Sequence, residues 1–272
     1  AATAPDLAGY DLDGFLASLR PARTIAARHT VGLVDPITEA DLAAGERVGD
    51  GLPETLEEVV RATGINHFKL KVGGDVAADI DRLTRIAGVI DREGDYLATL
   101  DGNEQYKDVE GVLALWEAIE ATPALEKLAR SVAIVEQPIA RTSALSKDIR
   151  ALAARKPVEI DESDATIDAF VEAKALGYTG VSSKSCKGVY RSLLNRARCA
   201  KWNEEEGAGT YFNSAEDLTT QAGICVQQDL ALATLIGCTH VERNGHHYVN
   251  GMAALPQAER TWSSKRTRVG FG

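Results

Sequence analysis

This 272-residue sequence lacks a long apolar run, a basic leader and a surplus of positive charge. No run approaches the ~20 apolar residues that a bilayer span requires, so we expect no membrane segment. The residues Ala1 to Pro5 form neither a basic segment nor an apolar one, so no signal peptide is predicted. The net charge of −10 argues against a nucleic-acid partner, because binding to nucleic acid requires clustered Lys and Arg.

Paired cysteines are missing as well. The four cysteines form no C-x-x-C pair and have no zinc-site spacing. They are Cys186, Cys199, Cys225 and Cys238. Their surroundings are mostly typical of helices and strands, so we expect reduced, partly buried thiols and a cytoplasmic location.

Short β-branched runs alternate with longer helical stretches along most of the chain. The predicted strands are Thr24–Leu33, His67–Val72, Tyr96–Asp101, Val132–Glu136, Pro157–Asp161, Gly180–Lys184, Thr210–Asn213 and Thr239–Glu242. The segments between them have a 3.6-residue apolar period. For example, Ile80, Leu83, Ile86 and Ile90 share one face, and Gly94 follows as a stop. Other helical segments are expected to end at Gly64, Gly177 and Gly237. Eight strands alternating with seven helices predict a parallel sheet with crossover helices.

An open, doubly wound sheet would also satisfy this count. However, no G-x-G-x-x-G follows the first strand, and charged residues recur at many strand ends rather than at one crevice. The length also fits one barrel of roughly 250 residues. We therefore predict an α/β fold, a TIM-like (β/α)7β parallel barrel, over residues 24–250. Residues 1–23 are predicted to be a lead-in segment without a clear element, and residues 251–272 an irregular C-terminal tail.

Carboxylates end the third, fourth and fifth predicted strands. They are Asp101, Glu136 and Asp161. The C-terminal strand ends of a barrel meet on one face, so these side chains should converge there. Their charges repel one another unless a cation lies among them, and oxygen ligands on rigid strands suit Mg²⁺. The sequence therefore predicts a divalent metal site that takes Mg²⁺, with Mn²⁺ as an alternative.

Lysines end the second and sixth predicted strands. Lys69 and Lys71 are two residues apart and should both point into the barrel. Strands 2 and 6 are opposite in an eight-stranded ring, so Lys71 and Lys184 should flank a substrate held at the metal. We expect a neighbouring ammonium and limited solvation to lower the pKa of such a lysine until it can act as a base.

Each of these residues also has an ordinary structural interpretation. Asp161 alone could be the N-cap of the next helix, and Lys184 a solvated strand end. The run Phe68 to Lys71 could be an edge strand with charged gatekeepers. The order of a lysine pair, Asp, Glu, Asp and lysine on consecutive strands is difficult to explain in these ways and favours a functional site.

The complete set of motifs has a known counterpart. The motifs are K-x-K at Lys69 and Lys71, D-x-N at Asp101 and Asn103, E-Q-P at Glu136 to Pro138, D-E-S at Asp161 to Ser163, and K-x-x-K at Lys184 and Lys187. Over about residues 24–250, the sequence resembles the enolase superfamily, and most closely its muconate lactonizing enzyme subgroup.

The resemblance implies an isomerase or lyase that removes a proton α to a carboxylate through an enediolate, with Mg²⁺ as cofactor. It assigns Asp101, Glu136 and Asp161 as metal ligands, Lys71 and Lys184 as the acid/base pair, Lys69 as a residue that contacts the substrate carboxylate or tunes Lys71, and Asn103 and Glu162 as supporting residues. Racemisation or epimerisation, cycloisomerisation and syn-dehydration all remain open.

The sequence also departs from the family pattern. The seventh predicted strand has no histidine, and the loop after the eighth contains His246 and His247. We regard Asn103, Asn213 and His246 as further candidates for substrate binding. The alternatives are therefore an acid-sugar dehydratase that uses His246 or His247, and a barrel that serves only as a non-catalytic subunit.

The resemblance implies one more part, an N-terminal α+β capping domain that selects substrate. Residues 1–23 are too few to supply this domain, so we expect it on another segment or another chain. The predicted partners are a small carboxylate substrate and further copies in a homo-oligomer, with no nucleic acid and no membrane.

Overall fold

The computed structural model describes residues 4–217, 223–243, 245–247 and 250–266, with side chains described up to residue 262. The strands are β1 Ala26–Val31, β2 His67–Lys71, β3 Leu97–Asp101, β4 Val132–Glu136, β5 Val158–Ile160, β6 Gly180–Ser183, β7 Phe212–Ala215 and β8 His240–Glu242. The α-helices are α1 Leu12–Ser18, α2 Leu56–Thr63, α3 Val76–Ile90, α4 Val109–Ala121, α5 Glu126–Ser131, α6 Arg141–Ala144, α7 Arg150–Ala153, α8 Ala169–Leu176, α9 Val189–Glu206, α10 Ile224–Leu235 and α11 Gln257–Arg266.

All eight strands are parallel and lie in the order β7-β6-β5-β4-β3-β2-β1-β8. The two ends of this sheet meet at a bridge between Glu216 and Glu242, where the Asp217 amide also donates to the Glu242 carbonyl over 3.2 Å. The sheet is therefore nearly closed, and helical crossovers connect each strand to the next. This architecture confirms the predicted TIM-like parallel barrel.

The two faces of the barrel differ in polarity. The outer face, which packs against the helices, carries apolar residues such as Val31, Leu70 and Ile160. The interior contains buried polar and charged residues, among them Arg28 and Glu159. Burial of ionised groups is unfavourable unless they are paired, and burial raises the pKa of Glu159 to about 7.

The backbone requires glycine at a few positions in this fold. Gly64 and Gly177 end α2 and α8 in the left-handed conformation, as their positions in the sequence predicted. Gly180, at the start of β6, faces the ring of Phe212 across the β6–β7 pair. A Cβ atom at this position would come within 2.2 Å of the ring. The bottom of the barrel therefore requires glycine at this point.

The structure corrects two expectations about the ends of the chain. Residues 1–23 do contain a regular element, α1, which begins after Asp11 because that side chain accepts from the Gly14 amide. The Arg198 guanidinium of α9 holds Asp6 through two hydrogen bonds of 2.8 and 2.9 Å. The tail is not irregular either, since α11 forms within it. Helix α1 is only seven residues long and α11 is mostly polar, so neither gives a strong periodic signal in the sequence. Residues 267–272 lie outside the described part.

Strand β7 lies two residues further along the chain than predicted. Tyr211, which was expected in the strand, is instead held by α9. Its amide donates to Asn203 Oδ1 and its carbonyl accepts from Asn203 Nδ2, each over 2.8 Å. The ladder therefore begins at Phe212, and the strand leads to Glu216 rather than ending at Asn213.

The structure contains the reduced thiols that the cysteine spacing predicted. All four cysteines are free thiols, of which Cys199 and Cys238 are buried. Within the described residues, no helix combines the length and the apolar character that crossing a bilayer requires.

Candidate active site

Lys69 lies at the centre of the site and is almost completely buried. Its ammonium is 2.9 Å from Asp101 Oδ2, 2.9 Å from Glu136 Oε1 and 2.5 Å from Glu242 Oε2. A fourth carboxylate, that of Glu216, lies 3.8 Å away. One cation therefore connects the ends of β3, β4, β7 and β8.

Two further lysines lie nearer the barrel mouth. Lys71 Nζ is 2.5 Å from Asp101 Oδ2, while Lys184 Nζ is 2.8 Å from both Asp161 Oδ2 and Glu216 Oε2. The side chains of Lys71 and Lys184 are 18% and 15% exposed, against 1% for Lys69. A ligand entering from the mouth would therefore meet these two lysines before it reached Lys69.

Lys187 supports this arrangement from the side. Its ammonium is 2.7 Å from Asp161 Oδ1, 2.7 Å from the Asp161 carbonyl and 2.8 Å from the Ser182 carbonyl. These bonds hold the Asp161 carboxylate in one orientation, with its second oxygen directed at Lys184. The K-x-x-K motif therefore supplies two cations to one carboxylate.

The Gln137 side chain connects the ends of β4 and β5. Its Nε2 donates to the Ile139 carbonyl over 2.9 Å and to Ser163 Oγ over 2.8 Å. Its Oε1 accepts from the amides of Asp161 and Ser163 over 2.9 and 3.1 Å. The backbone of Gln137 has a φ of 30°, which is costly for a residue with a side chain, and these bonds maintain it.

A similar turn follows β3. Asn103 has a φ of 38°, and its amide donates to Asp101 Oδ1 over 2.8 Å. Its side chain donates to Glu162 Oε1 over 3.1 Å. Asn103 and Glu162, which the resemblance assigned as supporting residues, thus contact each other beside Asp101.

The charges in the site shift one another's titration. Burial disfavours the ammonium of Lys184, but the carboxylates of Asp161 and Glu216 outweigh this effect and raise its pKa. Burial likewise disfavours the charged form of Lys69, yet its acidic partners raise its pKa. The expected lowering of a lysine pKa is therefore wrong for Lys184. The prediction considered neighbouring ammonium groups and burial, and it omitted the carboxylates that contact the lysine.

Three carboxylates are arranged so that they could hold a cation. One oxygen each from Glu136, Asp161 and Glu216 lies within 4.8 Å of the others. Burial raises the pKa of Glu136, and Lys69 offsets this only in part. Glu136 Oε2 is buried and has no hydrogen-bond partner among the described residues. This donor set, with an unused buried oxygen, fits a hard divalent cation such as Mg²⁺.

The predicted ligand Asp101 adjoins this group but is not part of it. Its Oδ2 lies between the ammonium groups of Lys69 and Lys71. Assignment of Asp101, Glu136 and Asp161 as ligands stays a prediction, and the geometry adds Glu216 as a candidate.

The structure separates two other predicted residues from the carboxylates. Asn213 shares a face of β7 with Ala215, which belongs to an outer apolar cluster, whereas Glu216 points to the lysines. His246 contacts His29 on β1, with His29 Nδ1 and His246 Nε2 3.0 Å apart. His29 alternates with Thr30, whose hydroxyl donates to Glu242 in the interior, so His246 lies on the outer face.

Sequence reasoning missed Glu216, Glu242 and Arg28. Glu216 was missed because β7 was predicted two residues too early. Glu242 was recognised as the end of a strand but received no role, although the other charged strand ends were an available signal. Arg28 lies inside β1, where its Nη1 is 3.0 Å from His240 Nδ1, and no local pattern distinguishes it.

One known family matches most of the chain. Residues 51–258 match the enolase C-terminal domain-like family, and the chain belongs to that family. The resemblance to the enolase superfamily predicted from the strand-end motifs is thereby confirmed. No curated protein matches the sequence significantly.

Several solved structures have a fold similar to that of this chain. A mandelate racemase/muconate lactonizing protein from Herpetosiphon aurantiacus is 21% identical with a TM-score of 0.59, and the match covers 85% of this chain and 57% of that protein. A 2-chloromuconate cycloisomerase from Rhodococcus opacus is 16% identical with a TM-score of 0.57, covering 85% and 56%. A dipeptide epimerase from Enterococcus faecalis, complexed with Mg and a dipeptide, is 18% identical with a TM-score of 0.57, covering 87% and 61%. The chain thus spans less than two thirds of each of these proteins.

Proposed function

We propose that this protein catalyses the Mg²⁺-dependent removal of a proton α to the carboxylate of a small molecule, through an enediolate. It acts as an isomerase or lyase of the racemase or epimerase, cycloisomerase or syn-dehydratase type. Membership of the enolase C-terminal domain-like family supports this chemistry. The Mg and dipeptide bound by the Enterococcus faecalis epimerase support a divalent metal and a small substrate here.

One observation carries the proposal. Two partly exposed lysines lie at the two ends of a cluster of buried carboxylates, Lys71 on Asp101 and Lys184 on Asp161 and Glu216. They belong to β2 and to the end of β6, four strands apart in the sheet order. A substrate between them would present opposite faces of its α-carbon to the two amines, so one could accept a proton and the other return one.

The carboxylates account for the rest of the chemistry. Removing a proton α to a carboxylate places a second negative charge beside the first. A divalent cation on Glu136, Asp161 and Glu216, with Asp101 beside it, would offset that charge where it develops. Lys69 has no free access to the mouth, so its role is to hold the carboxylates in place rather than to react.

The dehydratase alternative has less support. It requires a histidine at the carboxylates, and His246 contacts His29 on the outer face of β1 instead. The non-catalytic alternative also has less support, because it does not explain why two partly exposed lysines lie above a buried acidic cluster.

Proton exchange tests the proposal. The full-length protein would be incubated in D₂O with Mg²⁺ and both enantiomers of a panel of α-substituted carboxylates and dipeptides, and loss of the α-proton followed by NMR. We expect exchange from both enantiomers of at least one compound, abolished by EDTA. Lys184→Ala should slow exchange from one enantiomer by about 100-fold or more, and Lys71→Ala should do so for the other.

Lys147→Ala is the matched control, because Lys147 is an exposed lysine between α6 and α7. It should exchange at the wild-type rate. Equal loss from both enantiomers in either active-site variant would exclude the two-base arrangement and favour a one-base elimination. Wild-type rates in both lysine variants would contradict the proposed function.

A further inference from the structure

Three of the chain's five histidines meet outside the proposed active site. His29 comes from β1, while His246 and His247 come from the loop after β8. The ring centroids are 5.1 Å apart for His29 and His246, 4.6 Å for His29 and His247, and 5.4 Å for His246 and His247. We call this group the histidine cluster.

We propose that the histidine cluster is a second metal site, which binds one imidazole-preferring divalent transition metal, Zn²⁺ in the first instance. One ring nitrogen from each histidine lies within 4.8 Å of the other two. Zinc bound to imidazole at about 2.0–2.1 Å in tetrahedral geometry places its ligand nitrogens about 3.3–3.4 Å apart. His29 Nδ1 and His246 Nε2 are 3.0 Å apart, which is close to this spacing.

A cavity of about 430 Å³ adjoins the cluster and leaves room for a fourth ligand. His29, His247 and Asp35 all line it, together with residues of α2. Three protein ligands with one open position are typical of zinc sites that also bind water or a small anion. The Asp35 carboxylate supplies negative charge on the open side and attracts a cation.

The two proposed metal sites differ in position and in chemistry. Thr30 points into the barrel and donates to Glu242, whereas its neighbour His29 points outward. The interior offers carboxylate oxygens, which suit Mg²⁺, and the histidine cluster offers nitrogens, which suit Zn²⁺, Ni²⁺ or Cu²⁺. Metal bound at the cluster would also link the loop after β8 to β1, close to the bridge between Glu216 and Glu242 that closes the barrel.

Burial favours the neutral form of all three histidines. Burial, and then the neighbouring rings, lower the pKa of His29 to about 2. Burial, His247 and Arg243 lower that of His246 to about 4. The pKa of His247 is also lowered by burial, although Asp35 opposes the shift. Neutral imidazoles can bind a metal without first losing a proton.

The test uses full-length, tag-free protein stripped of metal, with the Asp161→Asn substitution to weaken the carboxylate site. Zn²⁺ is titrated by calorimetry in the presence of excess Mg²⁺. We expect one equivalent of Zn²⁺ to bind and to raise the melting temperature. His246→Gln and His247→Gln should each weaken binding by at least about tenfold. His67→Gln, a histidine outside the cluster, should leave it unchanged.

Co²⁺ provides a readout that does not depend on the variants folding. Its visible absorption spectrum in the parent protein should be that of a nitrogen-ligated, tetrahedral ion. No Zn²⁺ binding under excess Mg²⁺ would overturn the proposal. So would an octahedral, oxygen-type Co²⁺ spectrum, or wild-type Zn²⁺ affinity in folded His246→Gln and His247→Gln.

Discussion

A single buried ammonium organises the proposed active site at the scale of the residue. Lys69 contacts Asp101, Glu136 and Glu242 directly, so its charge compensates several acids that could not otherwise be buried together. Removing one partner of a buried ion pair is costly because it leaves the other charges uncompensated. Lys69 is therefore primarily a structural element that holds the acidic strand ends of the barrel together.

We predict that Lys69→Met destabilises the protein by about 3–5 kcal/mol. Urea unfolding at neutral pH measures this loss. The loss should shrink in mild acid, because the stranded carboxylates then become protonated. Lys71→Met is the matched comparison and should cost less, since Lys71 is partly exposed and forms one ion pair among the described residues, with Asp101. Equal losses of unfolding free energy in the two variants would show that the burial of Lys69 does not account for its contribution to stability.

At the scale of the element, the turns after β3 and β4 determine where the acidic residues point. Gln137 and Asn103 both adopt positive φ. The Gln137 side chain accepts from the Asp161 amide at the end of β5, and the Asn103 amide donates to Asp101 at the end of β3. Because Gln137 also binds the amides of Asp161 and Ser163, β4 and β5 present their carboxylates in a fixed relation. In the E-Q-P motif, the glutamate thus supplies a carboxylate and the glutamine fixes its position relative to the end of β5.

We predict that Gln137→Ala costs about 2–4 kcal/mol, because it leaves buried amides and a carbonyl without partners. It should also weaken Mg²⁺ binding, since Asp161 loses its fixed orientation. Unfolding in urea and a Mg²⁺ titration measure the two effects. Gln105→Ala is the control, because Gln105 is exposed and its side chain donates a hydrogen bond to the Asn103 carbonyl rather than to a buried amide. A Mg²⁺ affinity unchanged from wild type would contradict the positioning role.

At the scale of the whole molecule, the polar interior makes stability depend on pH. His240 of β8 is largely buried, with Nδ1 3.0 Å from Arg28 Nη1. Burial, and then the charges of Arg28 and His67, lower its pKa to about 3. The unfolded chain therefore takes up a proton as the pH falls below about 6.5, while the folded chain does not until about pH 3. Folded-state stability from this group is lost across that window as the pH falls.

We predict that His240→Gln makes the melting temperature less sensitive to acid than that of the wild type. The group contributes up to about 1.4 kcal/mol per pH unit below its unfolded pKa. Thermal melts at several pH values between about 7 and 4 measure the difference. His67→Gln is a suitable comparison, because His67 is less buried and the lowering of its pKa is smaller. Parallel curves for wild type and His240→Gln would refute this assignment.

Local patterns accounted for much of the fold and for part of the site. The alternation of β-branched and helical segments and the glycines Gly64 and Gly177 are properties of neighbouring residues, which is why the barrel could be predicted. The strand ends at Asp101 and Glu136 were located for the same reason, since a side chain that ends a parallel strand must face the barrel mouth. The motifs also identified the family.

Only the tertiary structure decided which groups meet. Lys69 and Glu242 are 173 residues apart and come into contact because β8 returns to pair with β1. Glu216 joins them because α9 holds Tyr211 and so moves β7 along the chain. Closure of the whole sheet determines the register between distant strands. It also determines that Thr30 of β1 points inward and His29 outward. No short segment of sequence contains that information, because the register and the facing of these side chains are determined by contacts between residues far apart in the chain.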